Sequence, residues 1–584
     1  MITDISLVPA NEFLVIVKHQ GKKYEVELDP SSTGEVFKFQ LYSLTGVEPE
    51  RQKILVKGGP LKDDTELSKL GAKPGQIYMM MGTPAEQGTL VRPKDEIKFV
   101  EDMTEAEAAQ QVGATPAGLQ NLGNTCYLNS TLQTLRAVPE LQQELTKYTA
   151  APSSRPQGNT LGDLSMFGLG GLGASSDLTA SLRDLYKQMG ETQEGFPPLA
   201  FLNALRTQFP QFNEKSKSGN GYAQQDAEEA WSQILQQVRE KLKVKEAGSE
   251  NAVSFVDKYL AGRFSSITEC DEQAAKDAGE ESVTSEDTFL KLNCHIGKET
   301  NHLKDGILNG LKEQLEKRSP TLERDAVYTK TSKIARLPKY LTVHFVRFFW
   351  KREAQKKAKI MRKVTFPQEL DVVEFCTDHL RELLIPVRDK VREIRKDEED
   401  VERARKRQKK IHDKEVADAA AGIVDSVSES KKTGDEKDKK KEGKSTDGDT
   451  AMEDVVYKTD AEVEAEKAAL ILEAKKELHA LISPELTSDT NQSGLYELRG
   501  VVTHQGASAD SGHYTSYVKK QGPLDPKTGK RGEEDGKWWW FNDDKVTEVE
   551  AEKILTLSGG GESHSALILL YAAIPLPTAE GLTQ

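Results

Sequence analysis

Four cysteines in 584 residues, Cys126, Cys270, Cys294 and Cys376, are too few and too scattered for a disulfide framework. A reducing compartment fits that scarcity. No apolar run approaches the roughly 18 residues that a membrane helix needs. The opening stretch MITDISLVPANEF has neither the basic region nor the apolar region of a secretory signal. A basic surplus is missing too: the net charge is −14 and the pI is near 5.5, which argues against general nucleic-acid binding. We therefore expect a soluble intracellular chain with neither membrane nor nucleic acid among its partners. What is present, 36% hydrophobic and 30% charged residues, can build more than one buried core. The length suggests roughly three to four domains.

The first segment, residues 1–83, has strand and helix patterns in a compact order. FLVIVKHQGKKYEVEL alternates on both sides of the turn His19-Gln20-Gly21, a hairpin signal. GEVFKFQLYSLTGV follows with helical spacing, taking Val36, Phe39, Leu41 and Leu44 as its apolar positions. The strands KILVKGG and GQIYMMMG complete the set. This order, with EPERQKILVKGG and LKDDTELSKLGAKPGQ in sequence, is similar to ubiquitin and implies the same β-grasp. The run ends MMMGTPAEQ without a Gly-Gly tail, so we expect a permanent domain and not a conjugatable tag. By register with ubiquitin, Leu55 and Met80 would form its partner-binding patch; Met79, Met80 and Met81 could equally just alternate between core and surface.

Residues 84–113 turn polar and are expected to form a linker with one short helix in TEAEAAQQV. From residue 114 to 575, helical patterns such as LTASLRDLYKQM come first. Strand-like runs follow, among them KYLTVHFVRFFW, LRGVVTHQ, HYTSYVKK, KWWWFND and SALILLYAAI. A helical lobe followed by a sheet-rich lobe predicts an α+β enzyme with a cleft between them. Residues of about 390–466 interrupt this body with charge-dense runs, read as a surface insertion that is partly a solvated helix and partly disordered. Its basic cluster Arg403 to Lys410 is either a nuclear import signal or a charge-laced exposed helix. Residues 576–584 are a tail.

Cys126 stands where a helix should begin, behind Gly123-Asn124-Thr125, and a helix start lowers a thiol pKa. The other three cysteines lack that context. Of ten histidines, His513 is distinctive: it follows the flexible run GASADSG and opens a strand. About thirty residues on, Asn542 and Asp543 end an aromatic strand and offer an amide or a carboxylate to orient an imidazole.

The stretches GLQNLGNTCYLNSTLQTL, GYAQQDAEEAW, LPKYLTVHFVRFFW, GASADSGHYTSYV and FNDDKV together resemble the signature boxes of the ubiquitin-specific protease family, in that family's order. The resemblance implies a papain-like cysteine protease domain with a helical lobe, a sheet-rich palm and fingers. It implies thiol-dependent hydrolysis at the C-terminal glycine of ubiquitin, with Cys126 as nucleophile, His513 as general base and Asn542 as third member. Asp543 is the reserve for that third role, because close relatives often carry aspartate where Asn542 stands. Asn121 would donate to the oxyanion, and Gln225, Asp226 and Tyr514 would contact ubiquitin. Asp226 could equally be an ordinary helix-start acid. A catalytically silent scaffold would need a broken triad, and all three members are present. A ubiquitin-like domain joined to this protease resembles the proteasome-associated subgroup. That implies docking on the proteasome's regulatory particle, residence in cytoplasm and nucleus, and two loops, about Trp350 to Met361 and Gln505 to Gly512, that shield the cleft. Many family members hold zinc through two Cys-x-x-Cys pairs. Here the segment has only Cys270 and Cys294, so we expect no metal. GLGGLG at 168–173 matches a dinucleotide fingerprint but follows no strand, and no cofactor is expected.

Overall fold

A computed structural model describes residues 13–57, 59–82, 103–111, 113–150, 177–216, 221–245, 251–352, 356–420, 460–508, 511–523 and 531–577. The GLGGLG run, most of the 84–113 segment and the charged stretch 421–459 lie outside these residues. The chain divides into two compact units, to Met103 and from Thr104.

In the first unit, strands Phe13–His19 and Lys22–Leu28 pair antiparallel through the two-residue turn Gln20-Gly21, where both residues have positive φ. That backbone matches the twist of the strands it joins. The five-stranded sheet places strand Ile77–Met81 between Phe13–His19, to which it runs parallel, and Lys53–Val56. The helix Gly34–Thr45 crosses one face and ends at Gly46, which takes the left-handed conformation. Its buried positions are Gly34, Phe37, Lys38 and Leu41. Of the expected apolar positions only Leu41 is core; Val36, Phe39 and Leu44 are exposed. The inward stripe runs 34-37-38-41, and Lys38 joins it by burying its stem while its ammonium reaches Asp63 at 2.6 Å.

Met80 also needs correction as a patch residue. Strand Ile77–Met81 alternates strictly, with Tyr78 and Met80 inward, so Met80 is 3% exposed and sits in the core. Met79 and Met81 face out instead, and Met79 lies opposite the exposed Leu55. A slip of one residue moves a side chain to the other face.

In the second unit, the short helix Glu105–Ala109 is closed by a capping box between Thr104 and Glu107. Helices Cys126–Leu135, Pro139–Lys147, Leu178–Met189, Leu199–Gln208 and Ala227–Lys241 build one lobe. Cys126–Leu135 is buried on every side. Its polar residues are accommodated by hydrogen bonds: Thr131 and Thr134 donate to carbonyls one turn back, and Gln133 donates to Ala117 O at 2.8 Å.

The five strand runs predicted in this unit all enter one ten-stranded sheet. Its main path holds Leu292–His295, Tyr340–Val346, Ser565–Ala573, Leu495–Ser508, Ser511–Lys519, Trp538–Asn542 and Lys545–Val549, in that spatial order. The helix Cys126–Leu135 packs on strand Ser511–Lys519, which brings the two lobes together. A separate four-stranded sheet carries Lys312–Arg318, Asp325–Arg336, Gly262–Cys270 and Val283–Phe289. At its turn end Glu280 accepts hydrogen bonds from Ser319, Thr321 and Tyr328, and Glu272 pairs with Arg324.

The charged insertion begins earlier than its charge suggests. The helix Asp378–Ala420 carries its first part, starts about twelve residues before it and spans about 65 Å at 1.5 Å per residue. Leu380, Leu384, Val387, Val391 and Ile394 form a buried stripe along its first half. Val387, Val391 and Ile394 meet Leu478 of the helix Asp460–Leu481 in a small core of their own.

Candidate active site

The loop before Cys126 is folded by two side chains. Asn121 Oδ1 accepts the backbone N–H groups of Gly123 and Thr125, each at 3.1 Å, and Thr125 Oγ1 accepts that of Leu122 at 2.9 Å. Gly123 and Asn124 both have positive φ, a sharp reversal that delivers Cys126 as the first residue of its helix. Asn124 Nδ2 ties the loop to Tyr222 O at 2.9 Å.

The expectation of a thiol activated by the helix start is not met in this conformation. Cys126 is 2% exposed, and burial pushes its pKa up to about 11. The backbone N–H of Tyr514 works in the opposite direction, and the nearby Asp543 carboxylate adds to the rise. Desolvation wins, so the resting group is the thiol.

His513 lies on strand Ser511–Lys519, in register with Gln505. Its Nε2 is 2.6 Å from Asn542 Oδ1. With Nε2–H donating, Nδ1 carries the free lone pair, the tautomer a general base requires. Asp543 Oδ2 is 4.0 Å from Nε2, beyond hydrogen-bond reach. Of the two candidate orienters, Asn542 is therefore the one bonded to the imidazole. Asp543, held at positive φ in the turn after it, takes amide donors instead: Asn129 Nδ2 at 2.8 Å on Oδ1 and Asn121 Nδ2 at 3.0 Å on Oδ2.

Three further residues were expected to contact ubiquitin. Asp226 caps the helix Ala227–Lys241, accepting the Glu228 N–H at 2.9 Å, and burial raises its carboxyl pKa while Lys357 opposes the rise. Gln225 is half-buried, and its Nε2 has no hydrogen-bond partner among the described residues. Tyr514 is a correction: it is wholly buried, edge-on to His504 at 4.6 Å, because strand alternation turns it away from the face that carries His513.

The two segments expected to shield the cleft are joined to each other. Strand Lys356–Lys359 pairs with Leu495–Ser508 at Ala358 and Ser508, and Ser508 Oγ donates to Lys357 O at 2.8 Å. Lys359 is buried, with Nζ donating to His504 O at 2.6 Å, and burial brings its pKa down to about 8. His504, also buried, is lowered to about 3, and the half-buried His564 to about 4. Sequence patterns singled out none of these three, nor Asn129. Cys270 belongs to the small core of the four-stranded sheet and Cys294 to the main sheet's core. Among the described residues no group of three or more His, Cys, Asp or Glu side chains is arranged to hold a metal ion.

The family model for ubiquitin carboxyl-terminal hydrolases matches residues 117–571, and that of the ubiquitin family matches residues 15–85. Ubiquitin carboxyl-terminal hydrolase 6 of Schizosaccharomyces pombe is 41% identical over 561 residues, covering 96% of this chain and 98% of the relative. Ubiquitin carboxyl-terminal hydrolase 6 of Arabidopsis thaliana is 39% identical, with the same shares of both chains. Ubiquitin carboxyl-terminal hydrolase 14 of Caenorhabditis elegans is 31% identical, covering 96% of this chain and 93% of the relative.

Proposed function

The chain belongs to the ubiquitin carboxyl-terminal hydrolase family and is a cysteine-type deubiquitinating enzyme with an N-terminal ubiquitin-family domain, and from that premise we propose that it is a proteasome-associated enzyme using Cys126, His513 and Asn542. The observation that carries the catalytic assignment is the 2.6 Å bond from His513 to Asn542, on a strand packed against the helix that Cys126 opens.

His513 Nδ1 takes the thiol proton, and Cys126 Sγ attacks the carbonyl carbon of ubiquitin's C-terminal glycine. The oxyanion receives N–H groups from Asn121 and the start of the helix, each well-placed donor contributing about 3–4 kcal/mol. The imidazolium then protonates the departing lysine amine, the C–N bond breaks, and a thioester remains. Water, deprotonated by His513, cleaves the thioester and restores the thiol. No cofactor takes part. Gln225, with its unpartnered amide, and Asp226 would contact the incoming ubiquitin tail.

Cys126 with a pKa of about 11 describes a resting state. The described parts of the two segments at about Trp350 to Met361 and Gln505 to Gly512, paired at Ala358 and Ser508, cover the cleft and part when the tail enters, exposing the thiol to His513. The bond between Ser508 and Lys357 and the influence of Lys357 on Asp226 support this. The outward sheet face of the first unit, with Leu55, Met79 and Met81, docks on the regulatory particle, in cytoplasm and nucleus.

The test is hydrolysis of ubiquitin carrying a C-terminal fluorogenic amide, with and without purified proteasome. Turnover should rise with proteasome, vanish in Cys126→Ala and lose its proteasome dependence in Leu55→Ala. Equal turnover with and without proteasome would refute the association. Undiminished turnover in Cys126→Ala would refute the nucleophile.

A further inference from the structure

Asn129 lies one helical turn beyond Cys126 and is 2% exposed. Its single NH2 group serves three acceptors: Asp543 Oδ1 at 2.8 Å, Leu119 O at 3.0 Å and Gln120 O at 3.3 Å. Its Oδ1 accepts nothing among the described residues. Asparagine is a weak helix former, and a buried carbonyl without a donor is a cost that packing alone would avoid with leucine. The acceptors are what make the position informative. Leu119 and Gln120 lead directly into Asn121, and Asp543 follows Asn542. The same two segments also meet through Leu119 N–H donating to Asp543 O at 3.0 Å. A Cβ added at Gly118 would stand 2.3 Å from Asp544 O, so the seam has no slack.

From this juxtaposition we infer that Asn129 is a positioning residue for the reaction: it locks the nucleophile helix to Asp543, which in turn aims the Asn121 amide. The inference rests on the assignment of Cys126 as nucleophile. Without the Asn129 donor, Asp543 loses its partner on Oδ1 and stands 4.0 Å from His513 Nε2. A small rotation would carry it to the imidazole, where it would compete with Asn542 and release Asn121. Asn129 touches neither substrate nor the attacked carbonyl in this scheme. It acts through Asp543.

The test uses the full chain and ubiquitin with a C-terminal fluorogenic amide, comparing wild type, Cys126→Ala, Asn129→Leu and Asn129→Asp. Asn129→Leu keeps the number and branching of the side-chain heavy atoms and removes the donor. It should lower kcat about 30- to 100-fold while KM and the rate of Cys126 alkylation by iodoacetamide stay within about twofold. Asn129→Asp places a carboxyl against Asp543. The titratable groups around that point are Cys126 on the same helix, His513 on the strand, and Asp543 and Asp544 on the turn; residues 118–121 supply none. Two carboxyls in contact share a proton more readily as pH falls, so the ratio of wild-type to Asn129→Asp activity should shrink between about pH 8 and about pH 5.5. A purely structural defect would not follow that titration. Should Asn129→Leu fail to fold, this pH-dependent ratio still decides. If Cys126→Ala is inactive while both Asn129 variants keep kcat within about threefold of wild type, or Asn129→Asp shows a deficit independent of pH, the inference falls and the nucleophile stands. If Cys126→Ala retains activity, the catalytic reading itself falls.

Discussion

The catalytic seam and the turn end of the four-stranded sheet are each organised by one carboxylate that collects hydrogen bonds. Asp543 gathers two side-chain amides, and Glu280 gathers three hydroxyls. What separates them is water. The Asp543 side chain is 11% exposed and its donors come from segments more than 400 residues away, whereas Glu280 sits at a surface turn with donors about 40 to 50 residues off. In a dry site an unpaired group has nothing to fall back on; at the surface, solvent replaces a lost partner. The comparison predicts that polar substitutions cost most where the chain has buried them.

The largest effect should come at the seam. His513→Ala should lower kcat/KM about 10³-fold or more, and Asn542→Ala about 10²-fold, measured on ubiquitin with a C-terminal fluorogenic amide. Comparable activity in either variant would break the comparison. Next, the buried thiol should titrate as a thiol. With a pKa of about 11, alkylation of Cys126 by iodoacetamide in the free enzyme should rise about tenfold per pH unit from about pH 7 to about pH 9. A plateau already reached near neutrality would instead indicate a thiolate–imidazolium pair.

Arg347 extends the contrast away from the site. It is 1% exposed and donates to the carbonyls of Ala566, Ile360, Arg362 and Ser558, from 2.9 to 3.2 Å. Arg347→Met should destabilise the second unit by about 3 kcal/mol or more in denaturant unfolding, because four carbonyls lose their donor. In the first unit, Met80→Ala should cost about 2–4 kcal/mol and the neighbouring Met79→Ala less than about 0.5 kcal/mol. Reversed costs would put the strand in the other register.

The smallest effect belongs to Glu280→Gln, seen as faster hydrogen exchange confined to the turn around residues 318–328. The Ser319, Thr321 and Tyr328 hydroxyls hold the Glu280 carboxyl below its ordinary value of 4.5. A lowered folded pKa gives stability that is present above about pH 4.5 and lost as pH falls through the folded value. Wild type and Glu280→Gln should therefore converge in strongly acidic buffer.

How far the sequence could be read depended on the range of each interaction. Cys126, His513 and Asn542 sit in contiguous boxes, and the alternating strands announced themselves within ten residues or so. Period alone says that neighbours point apart and not which one points inward, so it gave no means of correcting Met80 and Tyr514, which came from the likeness to ubiquitin and to the protease family and lie buried. The buried stripe at Leu380, Leu384, Val387, Val391 and Ile394 was hidden by the charges interleaved with it. Asn129 was out of reach for another reason: its charged acceptor lies 414 residues away. The thiol pKa failed because a helix start is local, whereas the burial that overrides it is a product of the whole fold.

One measurement bears most directly on the account: reaction of the full chain with ubiquitin bearing a C-terminal electrophile, followed by mass mapping of the adduct. The account predicts one ubiquitin per chain, attached at Cys126 and absent from Cys126→Ala. An adduct at Cys270, Cys294 or Cys376, or undiminished labelling of Cys126→Ala, would contradict it.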